Sequence, residues 1–452
     1  LSGQLINSLH KQDKLPVIIA AARDIKGINL NLRKKAEISS GRDISDFRFH
    51  LQNLSASDVT YVKAGNDIRF DTGSIVTERH IGIRIAGPGS LFVHAGNDID
   101  LGATYSNFKG GISSVGNFYS PTQLPREGSD VYLIAGYYDQ DKWYSAAEIK
   151  GFFNAIRTAG IEFTNYMNMG DTTAASAVAG DLRNKLYPEF FGSQTLGDGN
   201  IEMISSSINS VSGAADVNII NRGDLNVGQD IERESDAVQS NGIFTAEGGA
   251  VNIFTIGNVN VFESRIMTYR GGDITIWSDE GDIYAGRGSK AAINTQPPKL
   301  DCDVNGENCK VVFSPPAAGS GVRALTYDPD GATGPKSAPP IGDLFITAPE
   351  GVIDAGEAGI AGGNLFLGAQ QILNTQNISF SGAAIGVSTG EVAAGNVGAL
   401  SGAGDVTSGD GLSQQSQALD SAKKRAQSMR DTLAQDFTPN WVRVEFMGFI
   451  RN

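Results

Sequence analysis

A repeated strand–corner–strand unit constrains this chain more than any other feature. It is written twice in nearly the same letters, as VTYVKAGNDIRF at Val59–Phe70 and LFVHAGNDIDL at Leu91–Leu101. In both copies apolar residues alternate with polar ones on either side of Ala-Gly-Asn-Asp. That is the period of a β-strand, whose successive side chains point to opposite faces. Aligned on their apolar residues, Val59, Tyr61 and Ile68 match Leu91, Val93 and Ile99. Gly65 and Asn66, like Gly96 and Asn97, suit a tight corner because both residue types adopt positive φ at little cost.

The half-unit recurs along the chain. It reads SDVYLIAG at Ser129–Gly136, ADVNIINRGDLNV at Ala215–Val227 and AVNIFTIGNVNV at Ala250–Val261. Further copies are GDITIWSDEGDI at Gly272–Ile283, GDLFITAPEGVI at Gly342–Ile353 and GNLFL at Gly363–Leu367. Within a pair the second strand starts about eight or nine residues after the first, one short strand plus a corner. Pairs follow one another at roughly twenty to forty residues. Self-similarity at that period marks a solenoid, in which each unit buries its apolar face by stacking on its neighbours. Helical spacing is absent from the units, and Val, Ile, Phe, Thr and Tyr dominate them, which excludes helical and leucine-rich repeats. A propeller needs about four strands per forty-odd residues and a blade signature. The expectation is an all-β chain folded as a parallel β-helix. Each coil carries two or three short strands, stacked about 4.8 Å from those of the next.

Departures from the repeat set the expected segments. Coils occupy 1–144, a helical insertion 145–191, and further coils 192–295. A Pro-rich excursion with a Cys loop fills 296–340, and coils resume over 341–380. A Gly/Ala/Ser-rich linker covers 381–411, and a helix with a terminal strand ends the chain at 412–452. In the insertion, Ser145 and Glu148 form a capping box. Ile149, Phe152, Phe153 and Ile156 follow at i, i+3, i+4, i+7, one face of a helix, with Gly160 as its expected stop. A second helix fits Thr172–Leu186, ended by Pro188. Near the C-terminus, Leu412–Gln435 carries a 3-4-3-4 apolar stripe, which suits a helix capping the solenoid or a seam for another chain.

Charge narrows the partners. A formal net charge of −14 argues against nucleic acid, which calls for a basic stripe. No apolar run approaches the roughly twenty residues of a membrane-spanning helix. The chain begins with Leu and shows no signal peptide, as expected of a processed or truncated piece of a longer precursor.

The search for chemistry yields three acidic pairs, Asp98 with Asp100, Asp279 with Asp282, and Asp301 with Asp303. Paired carboxylates along a groove are what a β-helix lyase or glycosidase needs. Beside glycine at a corner, however, Asp more often bonds its own backbone to shape the turn, and that reading is preferred. His10, His50, His80 and His94 show no metal-ligand spacing, and there is no nucleophile elbow or phosphate loop. No catalytic residue, cofactor site or metal site is assigned. Cys302 and Cys309 bracket CDVNGENC, whose Asn305-Gly306 is a tight-turn signal. In an exported protein a disulfide closing this loop is expected, against free thiols or a partial zinc site. Aromatics cluster at the insertion, among them Trp143, Tyr144, Phe152, Phe153, Phe190 and Phe191. They either pack the insertion onto the solenoid flank or offer a partner-binding face.

The chain resembles the filamentous haemagglutinin family of bacterial exoproteins. The resemblance rests on the AGNDI and AGRDI-like corners, on GDITIWSDEGDIYAGRGSKA at 272–291 and on GDLFITAPEGVIDAGEAGIAGGNLFLGAQQI at 342–372. The last two look like the conserved region near the C-terminus of such proteins. The resemblance implies a right-handed β-helix and two-partner secretion through a dedicated outer-membrane partner. It also implies a place outside the cell or on the bacterial outer surface, with a role in adhesion, aggregation or biofilm. The ligand is then a host or bacterial surface or further copies of the chain, and self-assembly into a fibre or lattice is the alternative. The family's N-terminal secretion motif, Asn-Pro-Asn-Gly or Asn-Pro-Asn-Leu, is not found, so the export route attaches to the parent chain.

Overall fold

The computed structural model describes residues 13–70, 82–102, 110–116, 127–139, 141–192, 194–204, 206–228, 242–287, 299–301, 310–312, 320–326 and 338–387. By its contacts the chain divides into Leu1–Asp405 and Val406–Asn452, and every described residue belongs to the first unit.

Three strands make a coil. One example is Val251–Thr255, Val259–Val261 and Arg265–Thr268. The first and second arms of successive coils join into a 19-stranded sheet, and the third arms form a 10-stranded sheet. Neighbouring coils pair in parallel and in register, as in Val217–Asn221 on Val251–Thr255 and Val251–Thr255 on Ile274–Ser278. Among the described residues, antiparallel pairing joins Tyr137–Tyr138 to Thr195–Leu196 and Lys299–Asp301 to Lys310–Val312. The all-β, parallel β-helical expectation therefore holds.

The register carries the core. Ile38, Val62, Val93, Leu133, Ile219, Ile253, Ile276, Ile346 and Leu367 stack in one inward row, each at 0–1% exposure. Burying such a side chain contributes about 1.5–3 kcal/mol, and the row repeats that gain in every coil. Here the sequence alignment needs correcting. Leu91 pairs with Thr60 and Val93 with Val62, so Tyr61 stands beside Phe92. Aligning the apolar letters of the first arm slipped them by one residue, which exchanges the two faces of a strand.

The corners also work differently from expectation. Gly65, Asn66, Gly96 and Asn97 all lack positive φ. Glycine is required there by close approach between coils. A Cβ on Gly65 would lie 2.3 Å from the Gly41 carbonyl oxygen, and one on Gly96 would lie 2.2 Å from that of Gly65. The Asn and Asp beside these glycines tie one coil to the next. Asn66 Nδ2 donates to Asp43 at 2.8 Å, and Asn97 Nδ2 donates to Asp67 at 2.9 Å.

The insertion leaves the coil after Tyr137–Tyr138 and returns at Thr195–Leu196, whose antiparallel pairing forms its neck. It contains α1 (Ala146–Asn168), α2 (Thr172–Asp181) and α3 (Tyr187–Phe191), with a π turn at Leu182–Leu186 between the last two. Two expected stops are corrected. Gly160 lies inside α1, which runs on to Asn168, and Pro188 sits in the first turn of α3, directly after the π turn, so the helical stretch continues through it. The Pro-rich stretch is also interrupted, because Gly321–Ala324 returns to the 10-stranded sheet on Arg265–Thr268. Downstream, Ala384–Ile385 pairs with Leu365–Phe366, so stacking enters the stretch read as linker. Cys302, Cys309, residues 388–411 and the whole of 412–452 lie outside the described residues.

Candidate functional site: the helical insertion on the solenoid flank

The outward face of the first arms has two rows. One runs Tyr61, Phe92, Tyr132, Asn218, Asn252, Thr275, Phe345 and Phe366. The other runs Lys63, His94, Ile134, Ile220, Phe254, Trp277, Thr347 and Gly368. On an uncovered sheet these positions would face water and be polar. Here Phe92, Tyr132, Ile134, Ile220, Phe254 and Trp277 are at most 2% exposed, because the insertion lies on them.

Helix α1 starts with the expected capping box. Ser145 Oγ accepts from the Glu148 N–H at 3.2 Å, and Glu148 Oε2 accepts from the Ser145 N–H at 2.7 Å. Its 23 residues extend about 35 Å at 1.5 Å each, and coils repeat at about 4.8 Å, so the helix crosses roughly seven coil steps. The contacts follow that geometry. The Phe152 ring meets Phe254 edge-on at 5.0 Å. Arg157 bonds Thr275 at 3.1 Å and Asp273 at 3.2 Å and lies 4.9 Å over the Phe345 ring. Gly160 faces Thr347 and Trp277, and Thr164 and Phe163 face Gly368.

Ion pairs seat the helices on a line of aspartates at the strand ends. Lys150 reaches Asp130 at 2.8 Å and Asp216 at 3.8 Å. Burial, reinforced by Asp130, raises the Asp216 carboxyl above its usual range. Burial likewise lowers the Arg157 guanidinium. The deepest carboxylate is Asp279, at 2% side-chain exposure. It accepts from Arg183 Nε at 2.7 Å, the Tyr187 hydroxyl at 3.0 Å and Trp277 Nε1 at 3.1 Å. Three donors of this kind are what makes a buried charge tolerable.

At the neck, Lys63 Nζ donates to the carbonyls of Asp139 at 2.7 Å and Lys142 at 3.0 Å, and lies 4.7 Å over the Trp143 ring. Its burial lowers its affinity for the proton. His94 places Nε2 against the Tyr137 carbonyl, so this nitrogen carries a proton and donates it to the carbonyl. Burial depresses its pKa from 6.5 to about 4.

Of the six aromatic candidates, Tyr144, Phe152, Phe153 and Phe191 are 2–6% exposed, inside the joint. Phe190 is half-buried against Tyr144 and Phe152, with ring centroids 5.1 and 4.4 Å apart. Trp143 is 43% exposed and meets Tyr61 edge-on at 4.8 Å. Sequence reasoning missed the other half of the joint, namely Phe92, His94, Phe254, Trp277, Arg157 and Arg183. A signal was present in arms such as VNIFT and ITIWS, which are apolar on both faces.

The acidic pairs are structural acceptors where described. Asp100 accepts from the N–H of Gly102, in its own turn, at 2.8 Å. Asp98 and Asp282 reach instead to the next coil, accepting at 2.7 Å from the N–H groups of Asn200 and Val352. Burial raises the Asp98 carboxyl. Asp303 lies outside the described residues. Among the described residues no group of three His, Cys, Asp or Glu could hold a metal, and no helix is long and apolar enough to cross a membrane.

Stacked coils bearing a packed insertion, with strand-end carboxylates serving as hydrogen-bond acceptors, define a β-helical solenoid protein. Residues 271–389 match the family described as "Filamentous haemagglutinin family outer membrane protein". That match agrees with the resemblance carried by 272–291 and 342–372, and the location that goes with it is the bacterial outer surface. No curated protein and no solved structure matches the chain.

Proposed function

We propose that this chain is the β-helical body of a bacterial surface exoprotein that acts by adhesion and is not an enzyme. The observation that carries the reading is the family match over 271–389, which falls on stacked coils. The engagement of Asp98, Asp279 and Asp282 as structural acceptors supports it. The parent chain is exported through an outer-membrane secretion partner. Its ligand is a host or bacterial surface, and aggregation or biofilm is the outcome. The insertion at 145–191, with Trp143 exposed at its base, and the excursion at 296–340 are the segments that carry recognition. In the excursion Asp301 pairs with Lys310, which supports a disulfide between the adjoining Cys302 and Cys309. Alkylation mass spectrometry without reductant checks it, and two labelled thiols would refute it.

Self-assembly into a fibre or lattice is the second reading. It is favoured by the exposed apolar side chains of Leu15 and Ile18, at 73% and 68% exposure. Imaging the purified protein and incubating it with acidic and neutral polysaccharides separates the readings. Isolated particles with no turnover support the adhesin, and ordered fibres support assembly. Sustained cleavage abolished by Asp98→Asn or Asp279→Asn would overturn the non-enzymatic reading.

A further inference from the structure

In a solenoid each coil normally touches only its two neighbours, so stability adds up from local terms. The insertion breaks that rule. It leaves the chain before Thr195 and rests at its start on Asp130, yet much of its seat is built from coils that come much later. Arg157 bonds Thr275, 118 residues further on, and Arg183 bonds Glu350, 167 residues further on. The face formed by Ile149, Phe152, Phe153 and Ile156 is buried on these coils, and α2 adds only the small side chains of Ala175 and Ala179 to its own buried side.

We infer that the insertion is a strap that closes only when the coils following it are in place, and that it then couples those coils into one cooperative unit. Two glycines seat it. A Cβ on Gly160 would lie 2.8 Å from Thr347 Oγ1, and one on Gly368 would lie 2.5 Å from Thr164 Oγ1 and 2.8 Å from Phe163 Cδ1. Neither glycine has positive φ, so backbone conformation does not demand glycine at either position. The absent side chain is what lets α1 lie flat along the coils. A chain that folds from its N-terminus makes the helix long before its far anchor exists. Until then its apolar stripe has no cover, and closure waits for Leu365–Leu373. Once closed, opening any coil from Val217 to Leu373 requires peeling the strap.

Native-state hydrogen exchange of the full chain, read by mass spectrometry, tests this with Gly368→Leu, which pushes the strap from its last anchor. The amides of Ala146–Asn168 are expected to exchange about tenfold faster or more, while those of the third-arm strands Arg48–Gln52 and Gly82–Ala86, which the insertion does not cover, stay within about twofold of the unaltered protein. Unchanged protection in α1 overturns the inference. So does equal acceleration of Arg48–Gln52 and Gly82–Ala86 together with α1, because the substitution would then loosen the whole solenoid and not the strap. If the leucine variant does not fold, Gly368→Ala places only the clashing Cβ and is read by the same criteria. Gly160→Leu supplies the reciprocal measurement, with faster exchange expected in Leu344–Asp354 and Leu365–Leu373 and no change there counting against the strap.

Discussion

The first coils and the covered coils use the same outward position for opposite purposes. Ile18, Glu37, Tyr61, Phe92 and Tyr132 stand side by side in one row. At its start Ile18 is 68% exposed, whereas Phe92 and Tyr132, under the insertion, are 2% and 0% exposed. Backbone pairing and the inward row are alike in both regions. The difference lies wholly in what rests on the outer face. The repeat therefore builds the body, and the insertion decides which flank is core and which is surface.

Removing the largest side chain under the strap should separate the two regions most. Trp277→Ala leaves a cavity between Ile274–Ser278 and α1 and removes a donor from Asp279, and is expected to cost about 3–5 kcal/mol. Urea unfolding followed by hydrogen-exchange mapping checks it, and a loss below about 1 kcal/mol would mean the strap is not packed there.

Acid should act on the covered flank next. The folded protein holds His94 neutral down to about pH 4, while the unfolded chain takes up the proton near 6.5. The depressed pKa means that this contribution is present above pH 6.5 and is lost as pH falls through about 4. The shift corresponds to roughly 3 kcal/mol. Urea midpoints measured across that window should fall more steeply for the unaltered protein than for His94→Gln, and parallel curves would refute the assignment.

Smaller effects bound the comparison. Ser145→Ala removes the cap of α1 and is expected to cost about 1 kcal/mol, confined in exchange maps to the insertion and its seat. Ile18→Ala, in the uncovered row, should change stability by no more than about 0.5 kcal/mol. A loss comparable to that of Trp277→Ala would mean the first coil is covered too.

Much of this body was legible. Alternation in an uncovered arm such as RFHLQ names the inward residues Phe49 and Leu51, and the capping box at Ser145 names the start of α1. The corner glycines were visible as a pattern, but their cause was not. Gly65 and Gly96 are glycine because another coil's carbonyl lies where a Cβ would be, and that neighbour is many residues away in sequence. Gly160 was misread as a helix stop for the same reason, since Thr347 and Trp277 demand it from outside the helix. The aromatic cluster could be seen at Tyr144, Phe152, Phe153 and Phe191. Its destination on Phe254 and Trp277 depends on how far α1 runs along the coils, which local spacing does not encode. The slip between Tyr61 and Val93 arose because Tyr61, Phe92 and Tyr132 are apolar on the outer face, so apolarity alone does not mark the inside of a covered arm.

The central claim, that α1 lies lengthwise across coils formed much later in the chain, is tested most directly by a single engineered crosslink. A Cβ built on Gly160 lies 3.9 Å from Thr347 Cβ, within the usual range of about 3.5–4.5 Å for a disulfide. Gly160→Cys combined with Thr347→Cys, in a chain with Cys302→Ser and Cys309→Ser, should oxidise to an intramolecular disulfide that peptide mass spectrometry identifies in the folded protein. Two free, alkylatable thiols in protein that retains its β-sheet circular dichroism would contradict the account.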